Sequence, residues 1–263
     1  MPRILWQGFT SPTANAVYVD ALVEFLNEVA DPGFTFEFRG VDPPDRHLSR
    51  MTEWRCAVQA IGSALQAERE GVDAIILGHF QDAGLWELRA GCEVPVVGLG
   101  EASMLWACQL GFRFGLVTIN PVFERWHEDQ VRMYALEGRF AGVRGLEASL
   151  ETFMDVFAGD RNAADAVVHQ FRALARELVY GGAEVIIPAG GLPALMIGRM
   201  ETFTVEGATV LNANAIAAKT AEQAVKLRAL PNTGVSRRGT FAKVAPEAIE
   251  ELISGLPERL GPG

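Results

Sequence analysis

Residues 72–79 read Val-Asp-Ala-Ile-Ile-Leu-Gly-His, and residues 183–190 read Ala-Glu-Val-Ile-Ile-Pro-Ala-Gly. Each stretch follows a helical pattern that ends in glycine, and each places one acidic residue before a short, mostly apolar run. Such runs are typical of strands in a parallel sheet that is covered on both faces. Because buried parallel strands all look alike, the alternative to a true repeat is chance similarity. We predict an α/β fold in which one half repeats the other.

The rest of the chain extends this repeat. About twenty residues after each stretch comes another short apolar run, at 95–98 and at 209–212. We therefore predict two pseudo-symmetric lobes with parallel sheets, residues 1–98 with 213–263 forming the first and residues 99–212 the second. Strands are predicted at 3–8, 34–38, 72–77, 94–98, 113–118, 143–146, 185–188 and 208–211. Helices are predicted from Ser11 to 29, around 54–65, at 101–110, at 121–136, around 167–178, at 213–227 and at 245–254.

The composition excludes several classes of protein. Lys and Arg number 23 against 33 Asp and Glu, which gives a formal net charge of −10. A nucleic-acid binder needs a basic face, and so does a protein that adheres to anionic lipid, so we expect neither partner. No apolar run approaches the ~20 residues that cross a bilayer. No signal-peptide pattern is present either, and we expect a cytoplasmic protein.

Candidate site residues follow from the predicted sheets, because ligands in open α/β folds bind beyond the carboxyl ends of the strands. The residues at these positions are Thr10, Ser11, His79, Phe80, Gln81, Asp82, Thr118, Asn120, Gly190, Gly191 and Asn212. The small polar side chains among them can bind a carboxylate or an imide ring, or can cap a helix. We expect them to gather in a cleft between the lobes.

Three further segments carry a resemblance to a known family. They are Gly78-His79-Phe80-Gln81-Asp82-Ala83-Gly84, Val94-Pro95-Val96-Val97-Gly98-Leu99-Gly100-Glu101-Ala102 and Ser236-Arg237-Arg238-Gly239-Thr240-Phe241. In this order they resemble the aspartate/glutamate/hydantoin racemase superfamily, in particular its hydantoin and allantoin racemases. The resemblance implies two flavodoxin-like lobes, an active site between them and no cofactor. It also implies two catalytic cysteines, one in each lobe, on opposite sides of the substrate carbon.

The sequence departs from this pattern at both cysteines. His79 stands in the first cysteine position, and the second falls at Gly190, or at Ala189 if the following glycines are aligned instead. The three cysteines of the chain, at positions 56, 92 and 108, do not follow a strand of the repeat. Their number and spacing give neither a disulfide framework nor a metal pair. A racemase that uses two thiols is therefore not expected.

His79 is the residue with the clearest chemical potential. Imidazole ordinarily titrates near neutral pH, so it can abstract a proton, return one or activate water. The alternative is a histidine that only stabilises a turn. Asp82 could orient the imidazole or cap the next helix. On the other side, backbone N–H groups of Gly190 and Gly191 could bind a carboxylate or an oxyanion, unless they form only a tight turn.

We therefore expect an enzyme without a cofactor or a metal that acts on a small hydantoin-like cyclic amide or on a carboxylate. His79 and Asp82 are its predicted catalytic residues, and the other candidates are predicted to bind substrate. The resemblance favours an isomerase, whereas a single base favours a lyase or a hydrolase. A small-molecule binding protein without activity is the alternative from another class. We also expect a homo-oligomer.

Overall fold

Strands and helices alternate along the computed structural model, which describes residues 1–200 and 203–255. Within these ranges the strands are β1 (Arg3–Gln7), β2 (Thr35–Arg39), β3 (Ala74–Leu77), β4 (Val96–Gly98), β5 (Phe114–Thr118), β6 (Phe140–Gly145), β7 (Val185–Ala189), β8 (Thr204–Val205) and β9 (Ala208–Val210). The helices there are α1 (Ala16–Val29), α2 (Arg50–Arg69), α3 (Leu85–Gly91), α4 (Leu99–Leu110), α5 (Glu124–Met133), α6 (Leu150–Phe157), α7 (Arg161–Tyr180), α8 (Gly191–Gly198), α9 (Ala213–Arg228) and α10 (Pro246–Ser254).

The strands form two sheets with the same internal order. The first sheet runs β2-β1-β3-β4 and is parallel throughout. The second runs β6-β5-β7-β9-β8, and only the edge strand β8 is antiparallel. The two stretches that open the sequence repeat are the central strands β3 and β7, each fully buried. The α/β fold with two similar parallel sheets is thus confirmed.

Two helices each follow a strand of one sheet and pack against the other sheet. Helix α4 leaves β4 of the first sheet and packs on β7 of the second, while α9 leaves β9 of the second sheet and packs on β3 and β4 of the first. These helices also contact each other, and one apolar core contains residues of both sheets. This packing supports the predicted boundaries at 98/99 and 212/213, which stay a prediction. The last part of the first lobe, 256–263, lies outside the described residues.

Some predicted elements differ in detail. The first helix starts at Ala16 rather than at Ser11, because residues 12–15 form turns before it. The helix predicted around 54–65 is α2, which is longer than predicted, and its Trp54 is 59% exposed. The buried face of α2 contains Ile61 and Leu65, mostly small residues besides, and one acid, Glu53. The segment predicted as a helix at 121–136 is a short 3-10 turn (Pro121–Phe123) followed by α5.

Three short helices and one strand, namely α3, α6, α8 and β8, are not predicted from the sequence. Helix α8 reads Gly-Leu-Pro-Ala-Leu-Met-Ile-Gly and is buried over most of its length. A segment that is apolar on every side has no helical periodicity, so its pattern cannot distinguish a helix from a strand. The omission matters because α8 starts at the cleft. None of the helices in the described ranges is long and apolar enough to cross a membrane.

Candidate active site

A cleft of about 610 Å³ lies at the carboxyl ends of the strands of both sheets. Its lining comes from both lobes and from the polar loop that precedes α2. Of the candidate residues, it includes Thr10, His79, Phe80, Gln81, Asn120, Gly190 and Gly191. The remaining candidates, Ser11, Asp82, Thr118 and Asn212, lie outside this lining. The structure thus brings seven of the eleven candidates to one cavity.

His79 follows β3, and its ring is held from two directions. Nε2 lies 3.1 Å from Oε1 of Glu53. The imidazole stacks on the ring of Phe9, with 4.1 Å between the centroids and 6° between the planes. A carboxylate can only accept, so Nε2 donates its proton to Glu53 and Nδ1 is the ring nitrogen left for a ligand. These two contacts fix the orientation of the imidazole ring.

Glu53 comes from the first turn of α2, and its side chain is only 6% exposed. Its other oxygen, Oε2, accepts from the Arg50 guanidinium at 3.2 Å. Burial alone raises the pKa of Glu53, but the hydrogen bond and charge of His79, together with Arg50, outweigh it and hold the pKa below its usual value. The carboxylate therefore stays ionised at neutral pH and accepts the hydrogen bond from the imidazole. Glu53 is not among the residues predicted from the sequence.

Asp82 does not contact the imidazole, and this corrects its predicted orienting role. Its Oδ1 accepts from the backbone N–H of Gly100 at 3.1 Å, and its Oδ2 accepts from that of Glu101 at 2.7 Å. The hydroxyl of Tyr134 donates to Oδ2 at 2.7 Å. Asp82 thus caps the first turn of α4. Burial raises its pKa to about 7, although these hydrogen bonds oppose the rise.

A buried network ties the loop after β3 to the second lobe. The Thr118 hydroxyl lies 3.0 Å from His127 Nε2, and His127 Nδ1 lies 3.0 Å from Gln130 Oε1. The amide of Gln130 donates in turn to the carbonyl of Phe80 at 2.6 Å. Burial lowers the pKa of His127 to about 4, so this ring is neutral at physiological pH. Thr118 therefore belongs to this network and not to the cleft.

Ser11 and Asn212 act within their own segments instead of binding at the cleft. The Ser11 hydroxyl lies 3.1 Å from that of Thr13 and accepts from the N–H of Ala14 at 3.3 Å. Asn212 accepts from the N–H of Ala215 at 3.2 Å and so caps α9. Both side chains satisfy backbone donors at the start of a turn or helix, which is the alternative role for small polar residues at strand ends.

Thr10 and Asn120 do line the cleft, but each also serves its own turn. The Thr10 hydroxyl accepts from the amide of Asn15. Asn120 Oδ1 accepts from the N–H of Val122 at 3.0 Å. A hydroxyl that accepts can still donate, and an asparagine amide has two further N–H donors. Both residues therefore have donor capacity for a ligand.

The second lobe contributes Gly190 and Gly191, which we name the glycine wall. Gly190 has a φ of +148°, which side chains rarely adopt. Gly191 begins α8, and a Cβ added there would lie 2.5 Å from the hydroxyl oxygen of Tyr18. A thiol side chain would be strained at the first position and would displace Tyr18 at the second. The wall thus presents backbone, together with the Tyr18 hydroxyl, which is not predicted from the sequence.

The cysteines lie away from this cavity. Cys56 and Cys92 are buried, Cys108 is half-buried, and all three are free thiols outside the cleft lining. Burial raises the pKa of Cys56 to about 11, which leaves the thiol protonated at neutral pH. No group of three or more His, Cys, Asp or Glu within 1–200 and 203–255 is placed to hold a metal ion.

The chain is similar to known racemases in part of its sequence and in its fold. The chain is 37% identical over 79 residues to a hydantoin racemase of Pseudomonas sp. (strain NS671), and 33% identical over 82 residues to one of Rhizobium meliloti. These matches span only 32% and 34% of the two relatives. An allantoin racemase structure from Klebsiella pneumoniae superposes with a TM-score of 0.74 at 22% identity, over 93% of this chain and 94% of the other.

A family model decides the assignment, because it covers far more than half of the sequence. It is described as Asp/Glu/Hydantoin racemase, and it matches residues 8–221. These residues include His79, Glu53 and the glycine wall. The chain belongs to the Asp/Glu/hydantoin racemase family.

Proposed function

We propose that this protein is an acid–base enzyme that acts on the carbon next to a carbonyl group. Its substrate is a small hydantoin-like cyclic amide or a carboxylate, and its base is His79. The observation that carries the proposal is the contact between His79 and the buried carboxylate of Glu53, in a cleft that both lobes line. Family membership and the partial matches to two hydantoin racemases support the class of substrate.

The proposed reaction begins with proton transfer. The substrate C–H bond breaks, its proton moves to Nδ1 of His79, and its electron pair moves to the carbonyl oxygen. Glu53 stabilises the imidazolium through Nε2, as a buried carboxylate does in a catalytic triad. The negative oxygen faces the glycine wall, where backbone N–H groups at the start of α8 can bind it. Side chains and backbone of this chain supply every group in the step.

The composition of the glycine wall bears on the type of reaction. A racemase of the two-base kind needs a second proton donor on the other face of the carbon, and Gly190 and Gly191 provide no such side chain. Chemistry on one face needs a single acid–base residue, which protonates the carbanion left by release of CO₂ or activates water for ring opening. We therefore keep a lyase or hydrolase as the second candidate. A binding protein without turnover is the third.

The test is an assay of three reactions with the same purified protein. Enantiopure 5-benzylhydantoin in deuterated water reports exchange at the ring carbon, the same compound reports ring opening, and an aryl malonate reports release of CO₂. Exchange with loss of optical purity supports an isomerase, CO₂ release supports a lyase, and ring opening supports a hydrolase. Binding of these compounds without any turnover supports the third candidate, a binding protein, and contradicts the proposal of an enzyme.

Two substitutions connect the activity to the site. His79→Ala removes the proposed base, and we expect turnover to fall by about 10²–10⁴-fold. The matched control is His169→Ala, because His169 is exposed on α7 and lies outside the cleft lining. Equal activity in both variants contradicts the assignment of His79.

Assembly and compartment belong to the same proposal. Several large apolar side chains on and after α4 are exposed, namely Leu105, Trp106, Leu110 and Phe112. Such a patch favours the expected homo-oligomer, and light scattering on a size-exclusion column measures its mass. Three free cysteines fit the reducing cytoplasm.

A further inference from the structure

Tyr18 brings a phenol hydroxyl from α1 to the glycine wall. The residue is 5% exposed and lines the cleft. A Cβ added to Gly191 would lie 2.5 Å from Tyr18 Oη and 3.7 Å from the carbonyl oxygen of Gly78, the residue before His79. The hydroxyl therefore stands where the loop that carries His79 comes close to the glycine wall.

Within the described residues, the Tyr18 hydroxyl contributes no hydrogen bond to the fold. The Tyr18 ring packs against Phe157, with 5.4 Å between the centroids. Among the described residues Oη has no hydrogen-bond partner, and burial is the only cause that shifts its pKa. Oη is also not one of the unpaired side-chain atoms of the described chain that are sealed from water. It therefore keeps an accessible side, and the cleft is the space on which it opens.

The surroundings decide what such a hydroxyl can do. Burial raises the pKa of Tyr18 well above its ordinary value, so the phenol keeps its proton at neutral pH. A neutral phenol in an apolar site does not act as a base. It can instead donate a strong hydrogen bond to an oxyanion, which is the role of a tyrosine hydroxyl in the oxyanion holes of some isomerases.

We infer that Tyr18 is a further catalytic residue, whose O–H donates a hydrogen bond to the substrate oxygen that becomes negative. The inference rests on the proposed function and assigns to Tyr18 the stabilisation of an enolate or imide anion. When the C–H bond breaks, its proton goes to His79 Nδ1 and its electron pair goes to the carbonyl oxygen. Tyr18 keeps its own proton throughout, and the reverse transfer regenerates both groups.

The lack of a side chain at Gly191 complements this role. Any Cβ there would fill the space in front of Tyr18 Oη. The Tyr18 hydroxyl, from the first lobe, thus occupies space that a side chain at Gly191 would need. The cleft then has a base on the loop after β3 and a neutral donor at the glycine wall.

Binding of the barbiturate monoanion tests the inference without any turnover. Barbiturate is a planar cyclic imide anion, and so it resembles the proposed intermediate. Hydrogen bonds to charged groups are among the stronger ones in proteins, and we expect Tyr18→Phe to weaken barbiturate binding by about 10- to 100-fold in calorimetry. The control is Tyr180→Phe, because Tyr180 is 74% exposed on α7 and should leave affinity unchanged.

A second measurement separates direct contact from a structural effect. The chain has three tyrosines, Tyr18, Tyr134 and Tyr180. Protein labelled with 3-fluorotyrosine therefore gives three fluorine resonances. The resonance that is missing from the spectrum of Tyr18→Phe is that of Tyr18. Saturation with barbiturate should shift the Tyr18 resonance and leave that of Tyr180 in place.

The inference is overturned if wild-type protein does not bind barbiturate at millimolar concentration. It is also overturned if Tyr18→Phe binds it as tightly as wild type does, or if the Tyr18 resonance does not move. Failure of the proposed function looks different, since turnover is then absent or insensitive to His79→Ala while the dependence of barbiturate binding on Tyr18 persists.

Discussion

Oε1 of Glu53 lies 3.1 Å from Nε2 of His79, although 26 positions of sequence separate the two residues. One comes from the first turn of α2 and the other from the loop after β3, which meet beside the cleft. The contact fixes which ring nitrogen faces a ligand, and it supplies a negative charge to an imidazole that gains a proton. The proposed activity depends on this pair.

Replacement of the carboxylate tests that dependence. Glu53→Gln keeps the size of the side chain but removes its charge, so the imidazolium loses its counter-charge. We expect kcat to fall by about 10²–10⁴-fold with a smaller change in KM, as for the loss of the aspartate charge in a catalytic triad. Glu87→Gln on the exposed face of α3 is the matched control. A kcat equal to that of the control speaks against the pair.

Asp82 gives a prediction about stability against pH. Its pKa is raised from 3.8 to about 7, so between these values the native state holds a proton that the unfolded chain has lost. The contribution of Asp82 to the free energy of unfolding should therefore fall as pH rises through this window, by about 1.4 kcal/mol per pH unit at most.

Urea unfolding of wild type and Asp82→Asn isolates this contribution, because other titrating groups cancel in the difference between the two. Wild type should lose stability relative to the variant from about pH 4.5 to about pH 7.5, by a few kcal/mol. A difference that does not depend on pH would show that Asp82 is ionised in the native state throughout.

His127 should give the opposite slope. Burial lowers its pKa from 6.5 to about 4, so between these values the unfolded chain binds a proton that the native state excludes. Its contribution to stability is complete above about pH 6.5 and is lost as pH falls towards 4. In urea unfolding, the stability of wild type relative to His127→Gln should increase from about pH 4.5 to about pH 7. A constant difference contradicts a neutral, buried imidazole.

Gly191→Ala tests the space in front of Tyr18. The added methyl group should displace the Tyr18 hydroxyl, so barbiturate binding should weaken about as much as in Tyr18→Phe. Because both changes remove one contact, the double variant should be no weaker than either single variant. Additive losses in this cycle would mean that the two residues act on the ligand independently.

The sequence pattern was enough to predict the described strands of both sheets except β8, because buried parallel strands read as short apolar runs. It also placed His79 and the glycine wall at strand ends. Helix α8 is not predicted, since its residues are apolar on every side and show no helical periodicity. The cleft it helps to form could therefore be predicted only in outline.

Glu53 and Tyr18 show why the rest of the site could not be predicted from the sequence. Both lie on helices and not at strand ends, so no rule about carboxyl ends selects them. Asp82, by contrast, is three residues from His79 and yet bonds to α4. The prediction that Asp82 orients the imidazole rested on its closeness in sequence to His79. It is wrong because the backbone at Asp82 has a positive φ of 55° and directs the carboxylate to another helix.

The stereochemical course of hydrogen exchange tests the central claim most directly. Enantiopure 5-benzylhydantoin is incubated in deuterated water with wild type or with His79→Ala, and proton NMR and chiral chromatography follow it together. With one base at the cleft, deuterium should enter the ring carbon faster than optical purity is lost. With His79→Ala, deuterium should enter no faster than it does in buffer without protein. Exchange that persists in His79→Ala, or none above buffer with wild type, would contradict the role of His79 as the base.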